Sequence, residues 1–226
     1  MWGNISVRVV EAYLGEYASG KSENAINRAL QLVGSGRKVT LVDFDIVKPF
    51  YTLRPIKKNL ESKGVDVLSW ETSQTIGLGE TGNVLLPGSR WALRRTGDII
   101  LDVGYGVEGA RTLNLLEGAK EDKDLKICVV VSITRPLTST VEDIVDYVRD
   151  MDTNVDIIIN NSHLGDETTV EVVQDGAGIV TEAAKRLGVG CVITTALKEI
   201  ALKIGGVDCM GNELRALHRY MPQSFW

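Results

Sequence analysis

One eight-residue segment, GEYASGKS at positions 15–22, constrains the fold of this chain more than any other part of its sequence. It matches the pattern GxxxxGK[ST], with an apolar stretch, VRVVEAYL, before it and a segment of helical periodicity, SENAINRALQLV, after it. A strand, a glycine-rich loop and a helix in this order form a phosphate-binding loop. The sequence therefore predicts a nucleotide site at this loop. The alternative is a glycine-rich turn that ends in an N-capping serine.

Each residue type in the pattern has a role in holding a triphosphate. Gly15 and Gly20 allow the backbone to curl so that its N–H groups point at phosphate oxygens. Lys21 places a positive charge on the β- and γ-phosphates, and Ser22 can ligate Mg²⁺ where the helix begins. The candidate nucleotide-binding residues of this segment are Gly15, Ser19, Gly20, Lys21, Ser22 and Glu23.

The rest of the chain alternates between apolar runs and amphipathic segments. Apolar runs without a polar alternation, linked by helices, are typical of parallel strands that are buried on both faces. The predicted strands are 7–14, 38–43, 65–68, 98–103, 126–133, 155–160 and 189–194, and the predicted helices are 22–33, 109–117, 138–151 and 168–187. This pattern predicts a single doubly wound α/β domain over residues 1–226. The glycine-rich insertion at 69–96 fits it poorly and is a candidate functional loop.

Composition excludes several classes of protein. With 44% hydrophobic and 24% charged residues, the chain has enough apolar material for a core, which argues against disorder and coiled coil. A net charge of −5 provides no basic field for nucleic acid or a membrane surface. The three cysteines lie far apart, and no apolar run approaches the length of a membrane span. We expect a cytoplasmic protein whose C-terminal stretch, GNELRALHRYMPQSFW, is a packed terminal helix rather than a membrane anchor.

Acidic residues follow two of the predicted strands. Asp43 and Asp45 come at the end of KVTLVDFD, and Asp102 ends DIILD. Ligands of parallel sheets bind at this carboxyl edge, where a carboxylate can hold a metal-bound water or orient the water that attacks a γ-phosphate. Asp43 and Asp102, with Ser22, are therefore candidate Mg²⁺ residues. The alternative for Asp43 and Asp45 is that they cap the segment that follows.

Three further residues at strand ends are candidate nucleotide contacts. Gly106, four residues after Asp102, could offer its N–H to a γ-phosphate and move when that phosphate leaves. Asn160 and Asn161 end the run VDIIINN, and an amide supplies the donor and the acceptor that suit an adenine edge. The alternative is equally common: asparagine often occupies the turn that ends a strand, without contacting a ligand.

Taken together, GEYASGKS, LVDFDIVKP, ILDVGYGVEGA, SITRPLTSTVEDI and IIINNSH resemble the MinD/ParA and nitrogenase-iron-protein family of phosphate-loop ATPases. The resemblance covers nearly the whole chain in the family's motif order. It implies a mostly parallel sheet of about seven strands, binding of ATP and Mg²⁺, and a nucleotide-dependent switch read by a protein partner. It also implies that Lys21 acts on the phosphates, that Asp45 takes part in hydrolysis, and that Asp102 and Gly106 form the family's DxxxG switch.

One position departs from the family's pattern. The family's loop carries a signature lysine that reaches across a homodimer to the partner's phosphates, and Glu16 stands at that position here. A carboxylate cannot neutralise phosphate charge, so the lysine-mediated ATP sandwich dimer is not expected. A homodimer that uses another surface stays open.

Three functions remain open from the sequence. The first is a switch ATPase that reports its nucleotide state to a protein partner. The second is a phosphotransferase or ATP-dependent ligase acting on a small molecule, for which Arg90, Arg94 and Arg95 could stabilise the charge of a transferring phosphate. The third is a nucleotide sensor without turnover. We favour the switch ATPase, with adenine preferred because NNSHLGD has no lysine after its asparagines and so lacks the [NT]KxD segment of GTPases.

Overall fold

Residues 7–46, 53–70 and 85–221 are described by the structure, which is a computed structural model. Eight strands form one sheet in the order β3-β2-β4-β1-β5-β6-β7-β8, and every neighbouring pair is parallel. The strands are β1 (Val10–Gly15), β2 (Val39–Phe44), β3 (Asp66–Leu68), β4 (Asp98–Val103), β5 (Leu125–Val131), β6 (Ile157–Asn160), β7 (Val192–Leu197) and β8 (Glu213–Leu217). The predicted α/β fold with a mostly parallel sheet is confirmed.

Helices connect these strands and cover both faces of the sheet. They are α1 (Lys21–Gly34), α2 (Lys57–Ser62), α3 (Gly106–Thr112), α4 (Val141–Asp150), α5 (Val170–Leu187) and α6 (Lys198–Ile204). Helices α1 and α2 share one core cluster with Tyr13, Leu41 and Ile100, whereas α3, α4 and α5 share the other with Ala12 and Leu101. Neighbouring strand residues thus point to opposite faces, and both faces are apolar, as the runs without alternation predict.

The strand count differs from the sequence prediction, which was about seven. The eighth strand is Glu213–Leu217, where we expected a terminal helix, and it pairs with β7 from Ile193↔Glu213 to Leu197↔Leu217. The residues of ELRAL are good helix formers, so local propensity favours a helix over the strand that forms. The unpaired backbone groups of β7 decide the outcome, because an additional strand satisfies them.

Two consequences of this topology matter for function. The carboxyl ends of all eight strands lie at one edge of the sheet, and the loop after β1 lies there between β4 and β5. At the same edge, Asp43 of β2 is in register with Asp102 of β4.

In the part of the chain that the structure describes, no helix is long and apolar enough to cross a membrane.

Candidate nucleotide site

The loop at 15–22 curls around one main-chain oxygen. The carbonyl of Glu16 accepts a hydrogen bond from the N–H of Ser19 at 3.2 Å and from Nζ of Lys21 at 3.3 Å. Gly20 has φ +90° and Ala18 has φ +56°, so two residues of the loop adopt the left-handed conformation. Such alternation of backbone conformation turns successive N–H groups toward one side, which produces an anion-binding concavity. The side chain of Lys21 is buried within it.

Two glycines are required by the surroundings of this loop. A Cβ atom at Gly15 would lie 2.2 Å from the carbonyl oxygen of Val130 in β5, and one at Gly20 would lie 2.1 Å from Nδ2 of Asn161. Both glycines also have positive φ, at +150° and +90°. The tight packing of the loop against β5 and the end of β6 therefore explains the glycine pattern, independently of any ligand.

Lys21 faces the carboxylates that the sequence singled out. Burial lowers the pKa of Lys21, while the negative charges of Asp102, Asp45 and Glu16 raise it. Burial raises the pKa of Asp102 to about 7, against the effects of Lys21 and of a hydrogen bond from the Ser22 hydroxyl. Thus Lys21 and Ser22, at the start of α1, meet Asp102, near the end of β4, in one buried site.

Asp43 is the most perturbed carboxyl group of this cluster. Burial, together with the negative charges of Asp102 and Asp45, raises the pKa of Asp43 to about 8. One of its oxygens accepts the N–H of Asp45 at 3.4 Å, and the other is buried without a hydrogen-bond partner among the described residues. A buried carboxylate oxygen without a donor is costly, and a cation relieves that cost.

This donor set fits a magnesium ion bound together with phosphate. Mg²⁺ takes one or two protein oxygens and completes its octahedron with phosphate oxygens and water. Ser22, Asp102 and the orphaned oxygen of Asp43 provide such oxygens. The described residues contain no group of three or more His, Cys, Asp or Glu side chains arranged to hold a metal alone.

The raised pKa values predict how stability depends on pH when no cation is bound. Between the ordinary aspartate pKa of 3.8 and the folded values of about 8 for Asp43 and about 7 for Asp102, the folded state holds protons that the unfolded chain has released. Stability therefore decreases as pH rises through this window. In EDTA, we expect the melting temperature to fall by roughly 5 °C between about pH 6 and pH 8. Asp43→Asn should flatten this dependence, and an unchanged slope in that variant would contradict the assignment.

Asn160 and Asn161 lie at the predicted edge of the sheet, with their amides in hydrogen bonds to protein. Nδ2 of Asn161 donates to the carbonyl of Ser19 at 2.8 Å, and its Oδ1 accepts from Thr195 at 2.9 Å. Nδ2 of Asn160 donates to the carbonyl of Val173 at 3.0 Å. Asn161 thus braces the phosphate loop from the end of β6, a role that its position in the sequence did not indicate.

Glu16 points to a segment of its own chain. Its carboxylate accepts hydrogen bonds from Oγ1 of Thr138, at 3.2 Å, and from the N–H of Leu137. Burial raises the pKa of Glu16, and these hydrogen bonds and the charge of Arg135 lower it. The motif SITRPLTST, which carried no assigned role in the sequence, therefore anchors the tip of the phosphate loop.

Tyr17 connects the loop to the segment that contains Gly106. Its ring packs edge to face on Tyr105, with 5.8 Å between the ring centroids. Tyr105 directly precedes α3, and Gly106 begins that helix with φ +69°. The candidate switch glycine is thus one residue away from a direct contact with the phosphate loop. An isolated tyrosine in each motif gave no signal of this contact in the sequence.

The arginines considered for phosphotransfer lie at the opposite edge of the sheet. Arg94 stacks on Trp91, with the guanidinium carbon 4.1 Å from the ring centroid, in a 3₁₀ helix (Ser89–Arg94) that precedes β4. Arg95 pairs at 2.6 Å with Asp66, the first residue of β3, and Arg90 pairs with Glu117. A phosphate at the loop is out of their reach, so this placement argues against the phosphotransfer alternative. Residues 71–84 of the candidate loop at 69–96 lie outside the described residues.

Comparison with known proteins agrees with this architecture. The chain matches no family model and no curated protein. Among solved structures, it is similar to cell division protein FtsY from Thermotoga maritima, with a TM-score of 0.52 and 17% identity over 84% of this chain and 63% of that one. It is also similar to a nucleotide-binding protein in complex with ADP from Archaeoglobus fulgidus, with a TM-score of 0.52 and 16% identity over 86% and 84%.

A third similar structure is FlhF complexed with GTP and Mg²⁺, with a TM-score of 0.50 and 14% identity over 80% of this chain and 64% of that one. The chain therefore spans slightly less than two thirds of FtsY and of FlhF. At these identities the similarity shows the fold alone, an α/β fold with one mostly parallel sheet. It does not single out the MinD/ParA family within that fold.

Proposed function

We propose that this chain is a Mg²⁺-dependent nucleotide switch that binds ATP at residues 15–22, hydrolyses it and thereby changes its contact with a protein partner. One observation carries the proposal: Lys21, Ser22, Asp43 and Asp102 converge in one buried site at the carboxyl edge of the sheet. Buried carboxylates can bind a cation, and the neighbouring lysine and anion-binding loop can bind the phosphates that accompany it.

Each of these residues would have a separate role. Lys21 would contact the terminal phosphates, and Ser22 would ligate the cation, with Asp43 and Asp102 orienting its waters. Bound Mg²⁺ would neutralise phosphate charge as bonds break. Asp45, at the end of β2 and within the field of Lys21 and Asp43, would orient the attacking water. Gly106 would follow the γ-phosphate, and Tyr105 would transmit its movement because its ring packs on Tyr17.

Adenine is the proposed base. The run NNSHLGD lacks the lysine that follows asparagine in [NT]KxD, and Asp166 pairs with Arg219 at 2.5 Å. The similar structures contain ADP in one case and GTP in another, so the fold is compatible with both bases. The preference for ATP, the membership in the MinD/ParA family and the hydrolysis step all rest on the sequence motifs.

Competition binding tests the proposal. With Mg²⁺ present, a fluorescent ATP analogue should bind, and ATP should displace it at lower concentration than GTP does. Displacement by GTP at lower concentration would overturn the adenine assignment, and absence of binding would overturn the proposed function.

A sensor without turnover is the second candidate, and the position of Glu16 favours it. Its carboxylate occupies the place of the family's signature lysine and is held by Thr138 of the same chain. Phosphate release measured on the purified protein separates the two functions, because a sensor binds ATP without releasing phosphate.

A further inference from the structure

The C-terminal part of the described chain is fixed to the helix that follows the phosphate loop. Residues 218–221, here called the strap, continue from β8 along the first turns of α1. The amide of Asn27 donates to the carbonyl of His218 at 2.8 Å and accepts its N–H at 2.9 Å. This reciprocal pair holds the strap in a single register against α1, as two neighbouring strands would hold each other.

Glu23, the residue directly after Ser22, is the second anchor. Its carboxylate accepts the N–H groups of Tyr220 at 3.0 Å and of Met221 at 2.8 Å, and its side chain is buried. Burial raises the pKa of Glu23, and these two N–H groups and the charge of Arg219 lower it. A buried carboxylate with backbone donors is a strong, directional anchor. Glu23, predicted to contact the nucleotide, thus holds the C-terminal segment beside the nucleotide site.

The strap forms one wall of a cavity that begins at the phosphate loop. Gly20 and Glu23 lie at the loop end of this cavity. Its facing walls are the segment after β6, with His163, Gly165 and Thr168, and the end of β8 with the strap, from Leu217 to Arg219. The space between these walls is about 50 Å³. Sites for small organic ligands are typically about 300–1,000 Å³, so the walls must separate before a purine nucleoside fits between them.

An ion pair joins these walls at the surface. Nη1 of Arg219 lies 2.5 Å from Oδ1 of Asp166, in the segment after β6. Asp166 is 89% exposed and Arg219 is 36% exposed. Exposed ion pairs contribute little free energy, so breaking this pair costs an incoming ligand little. Once released, Arg219 has a planar guanidinium on a backbone that Asn27 and Glu23 hold in place on either side.

We propose that the strap belongs to the nucleotide site: the pair Arg219–Asp166 is a clasp that the nucleoside end of the ligand opens, and Arg219 then stacks on the base. This inference rests on the proposed function. Guanidinium planes stack on nucleic-acid bases, and an arginine whose backbone is already ordered loses little entropy in doing so.

Calorimetry with a nucleotide and with inorganic tripolyphosphate, which has no nucleoside, tests the proposal. For Arg219→Ala we expect about tenfold weaker binding of ATP, the size of one lost base stack, and unchanged binding of tripolyphosphate. Arg219→Lys keeps the charge and the ion pair but not the planar stack. It should therefore also weaken the binding of ATP about tenfold and leave the binding of tripolyphosphate unchanged. Arg186→Ala removes an arginine from an exposed pair with Glu142 on a remote surface and is the matched control.

The clasp itself is tested by association rates. Asp166→Ala should let ATP associate several-fold faster in stopped-flow measurements, with tripolyphosphate unaffected. If Arg219→Ala weakens both ligands equally, or neither, Arg219 does not contact the base and the proposal is overturned. An unchanged association rate in Asp166→Ala overturns the clasp. These outcomes differ from failure of the proposed function, in which the unmodified protein would bind neither ligand.

Discussion

Replacing Lys21 with alanine is expected to weaken nucleotide binding roughly 30- to 150-fold, while the protein stays folded. The expected loss of about 2–3 kcal/mol is that of one charge-assisted contact to phosphate. Nζ of Lys21 makes one hydrogen bond in the described structure, to the main-chain oxygen of Glu16 at 3.3 Å. The ammonium group is therefore held close to the loop without a carboxylate in direct contact, and it is available to an incoming phosphate.

Titration calorimetry of the alanine variant with Mg²⁺ and ATP measures this effect. Lys203, an exposed lysine of α6, provides the matched control: Lys203→Ala removes the same charge away from the site and should bind as the unmodified protein does. Equal affinities of the Lys21 and Lys203 variants would show that the phosphates do not bind at this loop.

Replacing Gly15 with alanine is expected to cost at least about 3 kcal/mol of folding stability. The new Cβ would lie 2.2 Å from the carbonyl oxygen of Val130, and Gly15 has φ +150°. The obstructing atom is backbone in β5, a central strand that pairs with β1 through Gly15↔Val130. Neither strand can move away without breaking that pairing, so the strain has no local relief.

Urea denaturation of the variant measures the loss. Gly34, the last residue of α1, has nothing within 4 Å of its position for a Cβ atom, and it serves as the control. Gly34→Ala should leave stability within about 1 kcal/mol or raise it, since alanine is the better helix former. Similar small effects at both glycines would mean that the loop has room to move away from β5.

Much of this architecture follows from the sequence. The runs at 38–43 and 98–103 are mostly apolar without alternation, because a parallel sheet buries both faces, and they correspond to β2 and β4. The spacing GxxxxGK[ST] is equally local: the loop is short, and its backbone conformation depends on its own glycines. Such features require only neighbouring residues, and a pattern of neighbouring residues is what a sequence displays.

Other features depended on partners that are distant in the chain. ELRAL has the residues of a helix and forms β8, because the open edge of β7 offers it hydrogen bonds. Glu16 and Thr138 are 122 positions apart, and Glu23 and Tyr220 are 197 apart, so no local pattern contains either contact. The arginines at 90–95 lie near Asp102 in sequence and at the other edge of the sheet in space.

The sequence by itself determined the fold class and the glycine-rich loop at 15–22, since both arise from residue types at short, fixed spacings. Only the tertiary structure decided which carboxylates surround Lys21, where the side chain of Glu16 is held and what Glu23 binds. The physical reason is that hydrogen bonds and charge interactions act over a few ångströms of space, whatever the separation along the chain. The interacting groups come that close to one another only when the strands assemble into the sheet.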